Sequence, residues 1–316
     1  MQIAELILPV FAVIVSGWIA GYSGYLSRST ADALIHFAYN IAMPALLIVT
    51  IAQEPGRSLI NWRFLAAFGG GSLLCFFAVF GVMSIGASRS VASRTMYGMA
   101  ASMTNTGFVA LPILQAIYGE RAVLPAAIAT VFVAVVMFPL AVILLEVRPR
   151  DGQGSRAVPM LTVKHVVLNP LVISTVVGML LSVLGLRMPA PFTAYFGILA
   201  GALTPCALFA IGLGLSLEGL RANVKQASLL SVVKLVVMPL IVCGLCALLR
   251  LEPLYTIAAV ICAAVPTAKT VYILAGEYQC EEMMVASTIS MTTVGSLASL
   301  VIWIYALAKL AARIAV

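Results

Sequence analysis

The chain has 316 residues, 63% of them hydrophobic and only 9% charged, where an ordinary soluble domain carries about 25% charge. That composition excludes a soluble globular domain and leaves an all-α polytopic membrane protein whose constant partner is the lipid bilayer. The net charge of +7 is not a nucleic-acid footprint, because the basic residues are scattered at the ends of apolar segments rather than gathered in a stripe. Anchors in membrane-surface loops have that distribution.

A spanning helix needs about 20 mostly apolar residues. This places spans at 3–22, 33–52, 64–87, 95–117 and 122–146, then at 165–185, 192–216, 227–249, 254–276 and 283–308. The first lacks a basic leader and an A-x-A site, and reads as a span rather than a cleaved signal. A polar stretch from Arg148 to Lys164 separates the two sets. The expected organisation is a first five-helix unit over 1–147, a linker over 148–164 and a second five-helix unit over 165–316.

The halves echo one another. Leu8-Pro9 answers Asn169-Pro170, Met43-Pro44-Ala45-Leu46 answers Thr204-Pro205-Cys206-Ala207-Leu208, and Tyr118-Gly119-Glu120 answers Tyr278-Gln279-Cys280, at offsets of 161, 161 and 160 residues. An odd number of spans per unit gives the second unit the opposite orientation, an inverted-topology repeat. Loops on one side carry Arg28, Arg89, Arg94, Arg148, Arg150, Arg156, Lys164, Arg221 and Lys225; those on the other carry Arg57, Arg63, Arg121, Arg187 and Arg250, with Lys309 and Arg313 on the C-terminal tail. The richer side is expected to be cytoplasmic, so the linker lies inside and both termini outside.

Two spans are interrupted. Thr104-Asn105-Thr106-Gly107-Phe108-Val109-Ala110-Leu111-Pro112 puts an amide, a glycine and a proline where the fourth helix should be continuous. Val265-Pro266-Thr267-Ala268-Lys269-Thr270 does the same to the ninth and adds a charge. Gly107, Pro112 and Pro266 are the expected helix-breaking residues. Backbone freed at membrane depth is tolerated only under protein or beside a watery cavity, and a pair of interrupted helices in corresponding halves marks a transporter binding site.

Lys269 is the sharpest candidate, since a lysine at mid-membrane costs roughly 3 kcal/mol on insertion scales. It either holds an anionic substrate or handles a proton, unless it only donates to carbonyls freed at the break. Asn105 either contacts substrate or caps the half-helix. Thr106, Thr267 and Thr270 offer hydroxyls, although membrane threonines often bond to their own helix. Asn40 beside Pro44 is a further candidate on the opposing wall. Lys234 is either a second coupling group or a structural donor to span 9 or 10.

Cys243 and Cys246 have redox-motif spacing but sit inside a span, where free cysteine behaves as a small hydrophobe. Gly212 and Gly214 have no preceding strand and read as close-packing residues. His36 and His165 are far apart, so neither a metal site nor a cofactor is expected. No Asp or Glu lies near the middle of a span, which argues against Na⁺ coupling.

At these residues the chain resembles the auxin efflux carrier family, over essentially its whole length. The resembling strings are Asn105 through Gly119, Val265 through Tyr278, Asn40-Ile-Ala-Met-Pro44-Ala-Leu, and Pro205-Cys-Ala-Leu-Phe-Ala-Ile-Gly212. The resemblance implies a ten-helix secondary carrier and no enzyme. Spans 1, 2, 6 and 7 would form a scaffold, and spans 3–5 and 8–10 a mobile transport domain. Broken helices 4 and 9 would cross at the substrate site. It also implies a homodimer and a small carboxylate substrate, auxin in the plant relatives and malate or malonate in bacterial ones. The short central loop is similar to that of the bacterial members, which often carry an uncharged polar residue where Lys269 stands. A proton antiporter with Lys269 as its titrating group is the rival reading.

Overall fold

A computed structural model describes residues 2–53, 61–85, 89–146, 168, 170–214 and 224–307. The linker at 148–164, with Arg57, His165, Asn169, Arg221, Lys309 and Arg313, lies outside the described residues. Regular structure among the described residues is helical. The helices are α1 (Gln2–Tyr22), α2 (Ser29–Gln53), α3 (Trp62–Val82), α4 (Val91–Ser102), α5 (Thr106–Tyr118) and α6 (Glu120–Leu145). They continue with α7 (Pro170–Val183), α8 (Ala190–Leu213), α9 (Val224–Leu248), α10 (Pro253–Ala264), α11 (Thr270–Glu277) and α12 (Glu282–Ala306). Six of these, α2, α3, α6, α8, α9 and α12, are long and apolar enough to cross a membrane.

The prolines set the shape of the long helices. In α2, α5, α6 and α9 a π-helical turn ends immediately before the residue that precedes Pro44, Pro112, Pro139 and Pro239. In each, that preceding residue reaches back five positions: Met43 to the Ala38 carbonyl, Leu111 to Thr106, Phe138 to Val133 and Met238 to Val233. A proline ring collides with the carbonyl four residues back and cannot bond it. Inserting one extra residue into that turn moves the carbonyl aside, and the helix continues with a bulge instead of breaking. The carbonyl released before Pro239, that of Leu235, is taken by the Trp303 indole N–H at 2.9 Å.

Packing divides the helices. α1 lies along α8, and α7 along α2, with α8 also touching α2. Separately, α3 packs on α4 and α9, α9 on α10 and α12, and α6 on α4 and α10. Ser93 on α4 donates to the Glu281 carboxylate at 2.6 Å and ties α4 to the turn before α12. Ile198, Leu240, Leu248 and Ile302 face outward, while the interior is rich in Ala, Ser and Thr, as helix interfaces in lipid are.

The α1–α8 seam is closed by reciprocal glycines. A Cβ on Gly212 would stand 1.8 Å from the Ile14 carbonyl oxygen, and one on Gly17 would stand 2.1 Å from that of Phe209. No rotamer relieves a clash with backbone, so the two helices touch only because both residues lack a side chain. Gly212→Leu is therefore expected to exceed the roughly 1–3 kcal/mol usual for overpacking and to abolish a monodisperse peak in detergent. Gly197→Leu on the open face of α8, with nothing within 4 Å of its Cβ, should leave the thermal midpoint unchanged.

Candidate functional site

Helices α4 and α10 each stop inside an apolar stretch, α4 at Ser102 and α10 at Ala264. Pro266 pushes Val265 into extended backbone, with ψ of 158°, because a residue before proline is crowded out of the helical region. The two unwound segments then pair. Asn105 N–H donates to the Pro266 carbonyl at 2.9 Å and Ala268 N–H to the Met103 carbonyl at 3.0 Å, an antiparallel bridge centred on Thr104 and Thr267. Thr267 N–H is accepted by Thr292 Oγ1 of α12 at 3.2 Å, and Thr267 Oγ1 donates to the Ala100 carbonyl at 2.7 Å. Each break thus satisfies backbone groups of the other.

The sequence placed the first break over 104–112, beginning at Asn105, with Gly107 and Pro112 as its breaking residues; the backbone unwinds at 103–105, ahead of both of these. Pro112 instead creates the π turn of α5. Gly107 sits inside that turn, where a Cβ would lie 3.0 Å from Met43 Cε of α2. The first interruption arises from the pairing with 266–268, whereas Pro266 breaks its own helix.

A small cavity of about 80 Å³ opens beside the crossing. Asn105, Pro266, Thr267 and Lys269 line one side, Ile211 and Gly214 at the end of α8 a second, and Ser290 and Thr293 of α12 a third. The Asn105 backbone carbonyl caps α5, accepting from Val109 at 3.1 Å and more weakly from Ala110. Its side chain makes no capping bond, which leaves the amide free to face the cavity. The Lys269 side chain is exposed and reaches α8: a Cβ on Gly214 would lie 3.6 Å from Nζ. The N-terminal ends of α5 and α11 start at this crossing, and helix N-termini carry partial positive charge.

The other candidates separate. Thr267 spends its hydroxyl inside the crossing, and Thr270 lies beside Met103 with Oγ1 3.9 Å from Sδ. Thr106 is buried and outside the cavity lining. Asn40 donates to the His36 carbonyl of its own helix at 2.9 Å and does not line the cavity. Lys234 is 0% exposed, and its ammonium bonds the Ala263 carbonyl in the last turn of α10. This is the structural alternative of the two read from sequence: a cation at the negative end of a half-helix.

Sequence reasoning missed Asp32, whose carboxylate acts electrostatically on Lys269 from the first turns of α2. Counting only mid-span acids concealed it, since it sits at a helix start. It also missed Ser290 and Thr293, although their three-residue spacing in α12 puts them on one face.

Thr267→Val keeps the shape but leaves the Ala100 carbonyl unpaired. It should cost about 1–3 kcal/mol, seen as a lower midpoint of thermal unfolding, whereas Thr270→Val at the exposed start of α11 should stay within about 0.5 kcal/mol.

Residues 2–304 match the family described as membrane transport protein. A protein of Rhizobium meliloti that carries a provisional name as a malonate transporter is 26% identical over 94% of this chain and 93% of its own. An uncharacterized transporter of Methanothermobacter thermautotrophicus is 27% identical over 96% and 98% of the two chains. Another from Escherichia coli K12, YfdV, is 24% identical over 95% and 96%. These relatives are transporters rather than enzymes. With broken helices paired inside an apolar helical body and the family matched from end to end, the chain belongs to the membrane transport protein family and is a multi-pass membrane transporter.

Proposed function

We propose that the protein is a secondary carrier for a small organic carboxylate, bound in the cavity beside the crossing and moved by alternating access. The observation that carries this reading is the pairing of a free Asn105 amide with an exposed Lys269 ammonium at two helix N-termini. An anion is the ligand that such a constellation stabilises. A water needs about 10–15 Å³ of such space, so a cavity of about 80 Å³ fits a compact anion of a few heavy atoms better than a large amphiphile. The malonate name of one relative agrees with that size class.

In this reading the broken pairs α4–α5 and α10–α11 each count as one crossing, giving ten in two inverted units over 1–147 and 165–316. The group α1, α2, α7 and α8 serves as the scaffold, through which a homodimer would form. The remaining helices move against it. The cavity lies toward Asp32 at the start of α2 and Gly214 at the end of α8. If the linker is cytoplasmic and both termini outside, that is the inner side. Toward the other side, Thr204 of α8 donates to Gln115 Oε1 of α5 at 3.2 Å, and Gln115 Nε2 to Glu120 at 2.9 Å. The first of these bonds links the two groups and must break when the cavity opens outward, while the second holds Gln115 in place for it.

A second reading makes Lys269 the titrating group of a proton-coupled exchanger, since its side chain lines the same cavity. Binding measured directly on purified protein separates the two. Lys269→Met removes the charge and keeps most of the stem. A charge-assisted hydrogen bond is worth about 1.5–3 kcal/mol, so malonate affinity should fall about 10- to 150-fold, and Asn105→Ala should weaken it less. Wild-type affinity in a monodisperse Lys269→Met protein would leave that lysine to proton handling. In proteoliposomes at fixed pH, uptake should be the same in Na⁺, K⁺ or choline; a strict Na⁺ requirement would reveal a cation site among the crossing carbonyls.

A further inference from the structure

A second cavity, of about 400 Å³, lies away from the crossing. Its walls come from Ile51 of α2, Trp62 of α3, Ile128 and Val135 of α6, and Thr175 and Met179 of α7. It therefore separates α2 and α7 from α3 and α6, at the junction of the two packing groups. The lining is almost wholly apolar, and its one hydroxyl is already spent: Thr175 Oγ1 donates to the Leu171 carbonyl at 2.7 Å. Water there would find no partners. Trp62 and Val135, 74% and 40% exposed, open the slot toward the lipid-facing surface.

Its length and polarity match one leaflet. The lining on α6 runs from Leu124 to Val136, and at about 1.5 Å per residue this is about 18 Å, close to half of a hydrocarbon core of about 30 Å. The mouth lies where α2 ends and α3 begins. Trp62 stands there, the residue type that favours the headgroup level. Arg63 follows it in α3, and Arg121 lies one turn before Leu124 at the start of α6, both exposed. An apolar slot one leaflet deep, with two cations at its headgroup end, selects an anionic amphiphile over a free apolar solute.

We propose that this groove is a lipid site, holding one acyl chain of an anionic phospholipid whose phosphate sits at Arg63 and Arg121. A bilayer tail gains little hydrophobic free energy by leaving its neighbours, so retention comes from filling a slot whose walls otherwise lose their contacts. Binding does not depend on the carrier reading. If the two helix groups do slide, this chain lies in their interface.

The test is native mass spectrometry of protein extracted in mild detergent and titrated with phosphatidylglycerol or phosphatidylethanolamine of matched chains. Phosphatidylglycerol should be retained preferentially. Ile128→Trp fills the slot and should weaken retention of both lipids about tenfold, with Val135→Trp as the deeper variant should the first aggregate. Arg63→Gln combined with Arg121→Gln should erase the preference for phosphatidylglycerol while chain binding persists. Gly197→Trp, on the open surface of α8, should change neither. Wild-type retention in a monodisperse slot-filling variant overturns the proposal, as does equal retention of the two lipids by the unaltered protein.

Discussion

Everything in this chain depends on two backbone hydrogen bonds at membrane depth, Asn105 N–H to the Pro266 carbonyl and Ala268 N–H to the Met103 carbonyl. Lipid cannot satisfy a free amide, and each unpaired group there costs several kcal/mol. A membrane helix can stop halfway only if something else takes its donors and acceptors. Here the something else is the other stopped helix. Neither break is stable alone, so the pair forms together, and the ends of α4, α5, α10 and α11 are thereby brought to one place.

The prolines show how finely this sequence distinguishes bending from breaking. Pro44, Pro112, Pro139 and Pro239 each sit behind a π turn and leave their helices continuous. Pro266 does not: it drives Val265 into extended backbone, its own carbonyl is met across the crossing by Asn105 N–H, and the Ala263 carbonyl is met by Lys234. A proline is therefore a break only when partners wait for what it releases. The Leu235 carbonyl, released before Pro239, is met instead by a side chain, Trp303.

Much of this was legible beforehand. Apolar length located the helices to within a few residues, because the bilayer imposes length on composition. The close-packing role of Gly212 followed from its place among small residues, and the place of Lys269 beside a cavity from the cost of charge in lipid. Other features were hidden because they belong to pairs of segments. That 103–105 unwinds while Gly107 and Pro112 stay helical depends on a partner strand far away in the chain. Asn40 was a further candidate on the opposing wall, yet its amide turns back to His36. Asp32 is invisible until the start of α2 is seen to act on Lys269.

The two buried-segment lysines make the same point in electrostatic terms. Lys234 and Lys269 both read as costly charges in apolar stretches, and residue type alone cannot rank them. Lys234 sits at the carbonyl end of α10, where a cation offsets the negative pole of the half-helix and adds little field beyond it. Lys269 sits at the amide end of α11, where its charge adds to the positive pole instead of cancelling it. Its stem carries the ammonium across to the carbonyl end of α8 beside Gly214, so the positive end of α11 and the negative end of α8 act on it in opposite senses. One lysine is thus spent on a carbonyl inside the helix packing while the other lines the cavity, and it is on that asymmetry that the proposed anion site rests.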